Sequence, residues 1–323
     1  MNKGAMLFLT VLAAVAGCSS GDSGTGGSAG AGGGGGGGAG GDARACATDI
    51  GVGERQDFGD PTPLVRSEGI AFDADGTLYV SAQDPGDDEI PDQLLDVALD
   101  GSYESVAEAT SMLGLATEAR GVIAAGITTA EVLLIDPTDG SSEVIADSSD
   151  GMPAAPNFVV NTPWGTILVS DDSNGEDAIY EVTWDGVVST WVDGVPTPNG
   201  MVFSLDGTTL YVAATFEEAG LWRVPVSEEG AAGTPQKWVA FDGSGPDGVA
   251  IDSEGNVYVA LNGAGEIAKV DPEGNATTLA VGMFGPASLA FGQGDFDPCS
   301  LYVTSLYGNQ MWRVGAGVLG VQK

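Results

Sequence analysis

Two carboxylates and two carboxamides share one register of a repeat that runs through this sequence: Glu68, Asn157, Asn199 and Asp247. Brought together, they offer four oxygen donors and two negative charges. That set suits one hard divalent cation, with coordination places left for water or a substrate. Ca²⁺ is the first expectation, with Mg²⁺, Mn²⁺ or Zn²⁺ as alternatives. The chain has no histidine, which excludes Ser-His-Asp and Cys-His catalysis, histidine-ligated zinc and a histidine general base. Pro198-Asn199-Gly200 and Pro246-Asp247-Gly248 also read as ordinary turns. Glu68 and Asn157 stand in no turn-forming sequence, and the common register favours the metal.

That register comes from internal repetition. The clearest copies are Pro198-Asn-Gly-Met-Val-Phe-Ser-Leu-Asp-Gly-Thr-Thr-Leu-Tyr-Val-Ala213 and Pro246-Asp-Gly-Val-Ala-Ile-Asp-Ser-Glu-Gly-Asn-Val-Tyr-Val-Ala260. Each has a polar residue, a short apolar strand, a tight turn with glycine and a second apolar strand. Weaker copies begin at Glu68, Leu113, Asn157 and Ala287, so the six starts are 45, 44, 42, 48 and 40 residues apart. A strand-rich period of this length is that of a four-stranded propeller blade. Outer hairpins follow at Asp100-Gly101, Asp139-Gly140 and Asp185-Gly186, where Asp-Gly supplies the positive φ that a tight turn requires.

The expected fold is therefore an all-β, six-bladed β-propeller over residues 46–323. A solenoid of similar period ranks below it, because such repeats are mostly helical and the chain shows no convincing amphipathic helix. The ring must close without an open strand edge, and the segment from Glu54 to Arg66 is placed to add a strand to the last blade. The innermost strands line the axis, so the residue opening each one converges on a single point. Two more polar positions fall at strand ends on that rim: Asp171 (or its neighbour Asp172) and Asn262, candidates for contacts to substrate or to the ligands. Cys46 and Cys299 could pair, pinning the start of the domain to its last repeat.

The same residues resemble the regucalcin and gluconolactonase propellers, named also for senescence marker protein. The likeness runs from Ser67-Glu68-Gly69 through Pro156-Asn157, Pro198-Asn-Gly200 and Pro246-Asp-Gly248 to Leu301-Tyr-Val-Thr-Ser305. It implies that Glu68, Asn157, Asn199 and Asp247 bind one divalent cation and that Asp247 is the catalytic acid or base in hydrolysis of a lactone or related ester. Two departures stand out: Ala155 where such proteins place an arginine before the third-blade Asn, and Phe158 where many have Asp. A more apolar substrate would suit Phe158, Met201 and Phe284 if they line the mouth. The other readings are a phosphotriester or other ester as substrate, and a non-catalytic propeller, metal-stabilised, that binds a partner or glycan.

The start of the chain reads as targeting sequence. Lys3, an apolar run from Ala5 to Ala16 and Val15-Ala-Gly-Cys18 resemble a bacterial lipoprotein signal, residues 1–17, with Cys18 lipidated. Residues 18–45 form a Gly/Ser-rich tether, including seven consecutive glycines at Gly32–Gly38, with a reach of roughly 25 Å. The expectation is a monomer held at the bacterial cell envelope, at the outer membrane or cell surface, through its lipid alone. A net charge of −36, from 46 acidic and 10 basic residues, argues against nucleic acid as a partner.

Overall fold

The computed structural model describes residues 46, 49–59, 66–83, 90–173 and 177–322. They fold into six four-stranded antiparallel sheets and, among the described residues, no helix. The cause is local. Runs such as Val257-Tyr-Val-Ala-Leu261 are β-branched and aromatic, too short for a helix, and bounded by turns. Asp73 and Asp252 each accept hydrogen bonds from the backbone amides two and four residues on, and Asp271 from the amide four residues on, tying those turns. Gly101, Gly140 and Gly186 carry φ values of 80°, 73° and 83° in the outer hairpins, where a side chain would be strained.

The innermost strands are Ser67–Phe72, Leu115–Glu118, Pro156–Asn161, Pro198–Phe203, Pro246–Ile251 and Pro286–Phe291. Each touches the innermost strand of the next blade, and the sixth touches the first, so the ring is closed and a solenoid is ruled out. Blades one to five are built from consecutive strands. Blade six takes its outermost strand, Arg55–Phe58, from the start of the domain and pairs it with Met311–Gly315, Arg55 opposite Val314 and Phe58 opposite Met311.

Closure is fastened around that strand. Cys46 and Cys299 form a disulfide with a Cα separation of 5.7 Å. Arg313 bridges Asp49 at 2.7 Å and Asp297 at 2.6 Å. There is no single core: six hydrophobic clusters fill the six seams between blades. The seam between blades six and one is aromatic, with Phe58, Phe72, Phe296 and Tyr302 in edge-to-face contact.

Candidate metal centre and active site

Five of the six innermost strands carry the same bulge, and the axial residue sits in it. Ser67 pairs with Ala82 and Ile70 with Val80, so Glu68 and Gly69 together oppose Ser81. In the same way Asn157 and Phe158 oppose Ser170, Asn199 and Gly200 oppose Ala213, Asp247 and Gly248 oppose Ala260, and Ala287 and Ser288 oppose Thr304. A two-for-one bulge turns a side chain out of the sheet's alternation. In blades one, four and five the residue after the donor is a glycine held small by the next blade: a Cβ on Gly69 would lie 2.0 Å from the Leu113 carbonyl oxygen, and one on Gly200 2.4 Å from that of Asp247.

Hydroxyls opposite three of the five bulges hold them. The Gly69 amide donates to Ser81 Oγ at 2.7 Å, and that hydroxyl donates to the Leu113 carbonyl at 2.9 Å. The Ser288 amide donates to Thr304 Oγ1 at 2.9 Å, and Thr304 donates on to the Glu68 carbonyl at 2.7 Å. The Phe158 amide donates to Ser170 Oγ at 3.1 Å. Sequence reasoning missed these hydroxyls, although Ser81, Ser170 and Thr304 are aligned breaks in otherwise apolar strands.

Glu68, Asn157, Asn199 and Asp247 are all buried. Among the described residues, no ion pair involves Glu68 or Asp247. Burial is the main reason that the Glu68 carboxyl is pushed up to about 8; the Asp172 charge adds to it and a hydrogen bond from Asn157 works against it. Asp247 is raised well above the carboxylate range by burial, then by the charges of Glu68 and Asp172. Asp172 itself rises to about 7, through burial and then Asp171, and it too is hydrogen-bonded by Asn157. The Oδ1 atoms of Asn157 and Asn199 are buried and accept no hydrogen bond. An unmet buried acceptor costs about 1–3 kcal/mol. Two such oxygens beside two carboxyls that repel one another have the chemistry of a hard-cation donor set, so the residues present fit such an ion. Among the described residues no cluster of three or more acidic or cysteine side chains forms a metal cage; only two of the four axial donors are carboxylates.

The remaining predicted residues divide. Asn262 Nδ2 lies 3.4 Å from Asp247 Oδ2, a long hydrogen bond that orients the carboxyl. Asp171 is buried, but Oδ1 accepts from the Ser173 amide at 2.8 Å and from the Ser173 hydroxyl, while Oδ2 lies 3.5 Å from the Ala155 amide. It ties the loop, and its neighbour Asp172 is the residue whose charge reaches Glu68 and Asp247. Met201 is buried in the seam between blades three and four and does not line the mouth, while Phe158 is half-buried and packs against the same cluster. Strand alternation below the bulge sends Met201 sideways into the core. Phe284 is 66 % exposed on the rim of blade six, in contact with Tyr307, which the sequence did not single out. Cys18, the signal at 1–17 and the tether at 18–45 lie outside the described residues.

Residues 66–307 match the SMP-30/Gluconolactonase/LRE-like region. The chain belongs to that family. A pentonolactonase of Haloferax volcanii is 29 % identical over 226 residues, covering 67 % of this chain and 75 % of the relative. A 6-deoxy-6-sulfogluconolactonase of Pseudomonas putida is 30 % identical over 152 residues, 44 % of this chain and 51 % of the relative. Among solved structures, the calcium-binding regucalcin of Agrobacterium tumefaciens superposes with a TM-score of 0.67 at 24 % identity, covering 82 % of this chain and 94 % of that one. A gluconolactonase from Xanthomonas campestris gives 0.69 at 19 %, covering 81 % and 89 %. At these identities the structural likeness is one of fold. The lactonase names come from the sequence relatives of the SMP-30/gluconolactonase family.

Proposed function

We propose that this chain hydrolyses a lactone of the sugar-acid type, using one divalent cation held by Glu68, Asn157, Asn199 and Asp247. The observation that carries the metal is the pair of buried, unmet amide oxygens of Asn157 and Asn199 beside two buried carboxyls. The sequence relatives support the substrate class, and the calcium-binding regucalcin among the structural neighbours supports Ca²⁺ as the first ion to test. Such an ion, when bound, supplies Lewis-acid polarisation of a carbonyl and acidification of water. Asp247 is the acid or base: it takes a proton from the attacking water and returns it to the ring oxygen as the ester C–O bond breaks, leaving the open hydroxy acid. Asn262, on Oδ2, fixes the rotation of that carboxyl. The chain has no histidine to take that role.

The test is turnover by the purified protein of sugar lactones, simple lactones, esters and phosphotriesters, after EDTA and with Ca²⁺, Mg²⁺, Mn²⁺ or Zn²⁺ restored. Metal-dependent acid release from a sugar lactone is the expected result. Release from a phosphotriester alone would move the substrate class. No turnover with any ion would overturn the reading in favour of a metal-stabilised propeller that binds a partner or glycan. We further infer, from Val15-Ala-Gly-Cys18, that Cys18 is lipidated and holds the enzyme at the cell envelope. Loss of acylation and of detergent partitioning in Cys18→Ala is the expected outcome; unchanged partitioning would sink this part.

A further inference from the structure

The donor ring is not symmetrical. Blades three, four and five supply Asn157, Asn199 and Asp247, blade one supplies Glu68, and blades two and six present Leu113 and Ala287, whose side chains carry no oxygen. The sixth innermost strand touches the fifth and the first, so blade six stands between the two carboxylates. Ala287 leaves the space above it unfilled by any long side chain of its own.

Two aromatic side chains rise beside that place. Phe284 is three residues before Ala287 and Tyr307 follows the second strand of the same blade, and they are 66 % and 56 % exposed with ring centroids 6.0 Å apart. Exposed aromatic rings on mobile loops would signify little, but these are fixed. Ser305 Oγ donates to the Phe284 carbonyl at 2.7 Å and accepts from the Gly308 amide at 2.9 Å, and the Leu306 amide donates to the Gly285 carbonyl at 2.8 Å. The Tyr307 ring rests on the bare α-carbon of Gly285, where a methyl group would come within 2.4 Å of Tyr307 Cδ2. Burial raises the Tyr307 phenol, and the charges of Asp247 and Glu68 add to the rise.

We propose that Phe284 and Tyr307 form a fixed aromatic ledge over blade six that takes the carbon face of the substrate ring and so determines which lactones bind. The inference rests on the lactonase reading. Ligand sites combine a few polar groups with apolar and aromatic walls. Here the polar groups come from blades one and three to five, and the exposed aromatic wall from blade six. A lactone presents the same two sides: a carbonyl and ring oxygen that need the polar half, and a face of C–H bonds that loses little by leaving water for an aromatic surface. The hydroxyl of Tyr307 is not required for stacking, so its role separates from that of the ring.

The experiment compares Phe284→Ala, Tyr307→Ala and Tyr307→Phe with the wild type, using δ-gluconolactone for kinetics and the corresponding δ-lactam, which is not hydrolysed, for calorimetric binding. Both alanine variants should raise KM about tenfold with kcat within about threefold and melting curves unchanged, while Tyr307→Phe stays within about twofold of wild type. Unchanged KM in both alanine variants, or a loss in Tyr307→Phe as large as in Tyr307→Ala, overturns the ledge. If the wild type hydrolyses no lactone, the lactonase reading fails by itself and the lactam decides the ledge. Weaker lactam binding in the alanine variants sustains it, whereas equal binding, or none to the wild type, overturns it.

Discussion

Thr304 Oγ1 donates a 2.7 Å hydrogen bond to the backbone carbonyl of Glu68, across the seam where the last blade meets the first. The two residues are 236 positions apart in sequence, and the same hydroxyl accepts from the Ser288 amide. One side chain therefore fixes the bulge of blade six and the backbone of a metal-ligand candidate in blade one. Thr304→Val keeps the shape and removes both bonds in a fully buried place. Leaving buried partners unmet costs about 1–3 kcal/mol, so the melting temperature should fall by several degrees, and Ca²⁺ should protect the variant less than the wild type. A variant that melts with the wild type and gains the same protection from Ca²⁺ would deny the stitch any importance.

The second prediction concerns closure. The disulfide between Cys46 and Cys299 spans 253 residues, and in the chain-entropy account a loop of that length is worth about 5 kcal/mol, with typical measured values of about 2–4 kcal/mol. Cys46→Ser should shift the denaturant midpoint downward by an amount that, multiplied by the m value, falls in that range, and a reducing agent should do the same to the wild type while leaving the variant unmoved. If reduction leaves the wild-type midpoint in place, the ring is closed by the Arg55–Phe58 strand and the Arg313 bridges alone.

The third is a pH effect of the metal-free protein. Folding raises the Glu68 carboxyl from 4.5 to about 8, and Asp172 from 3.8 to about 7. The folded state therefore binds these protons more tightly than the unfolded chain does. The stabilisation is complete below the unfolded values and is lost as pH climbs through about 7 and 8. In EDTA the melting temperature should fall between pH 5 and pH 8.5. A cation favours the deprotonated carboxyls, so the curve in Ca²⁺ should be flatter and the gap between the two should widen with pH. A gap that is the same at both pH values would count against a cation on these carboxyls.

Much of this architecture was legible before the structure. Six apolar hairpins at one period specify six blades, because each strand pair is amphipathic in a way only stacking can bury. The need to close the ring picked out the segment containing Arg55–Phe58. The axial register could be read because the donors open each apolar run. What could not be read depends on side-chain direction in loops and bulges. Asp171 and Asp172 are adjacent acidic residues, and only the capture of Asp171 by Ser173 and Ala155 leaves Asp172 as the one that bears on the axial pair. Met201 would have suited an apolar substrate had it lined the mouth, but the bulge ends there and normal alternation returns it to the core. Ser81, Ser170 and Thr304 passed as ordinary strand residues, since nothing local tells that a hydroxyl will face a bulge in its own blade and the next.

The last prediction separates acid–base work from ligation at Asp247. This carboxyl is asked both to hold a cation and to move a proton; it is raised by burial and then by the charges of Glu68 and Asp172, and is oriented by Asn262. Asp247→Asn keeps an oxygen of nearly the same shape, so metal affinity should weaken without vanishing, but an amide cannot take the proton. Hydrolysis should fall by about 10²- to 10⁴-fold even when the metal is saturating. Asn199→Ala should behave otherwise: it removes a donor oxygen and no proton carrier, so its activity should fall mainly through metal affinity and recover in part as metal is raised. Kinetics of both variants over a range of Ca²⁺ concentrations make the contrast. If Asp247→Asn regains full activity at saturating metal, Asp247 is a ligand only and the proton passes through another group, with Asp172, whose charge bears on Asp247, the next to test.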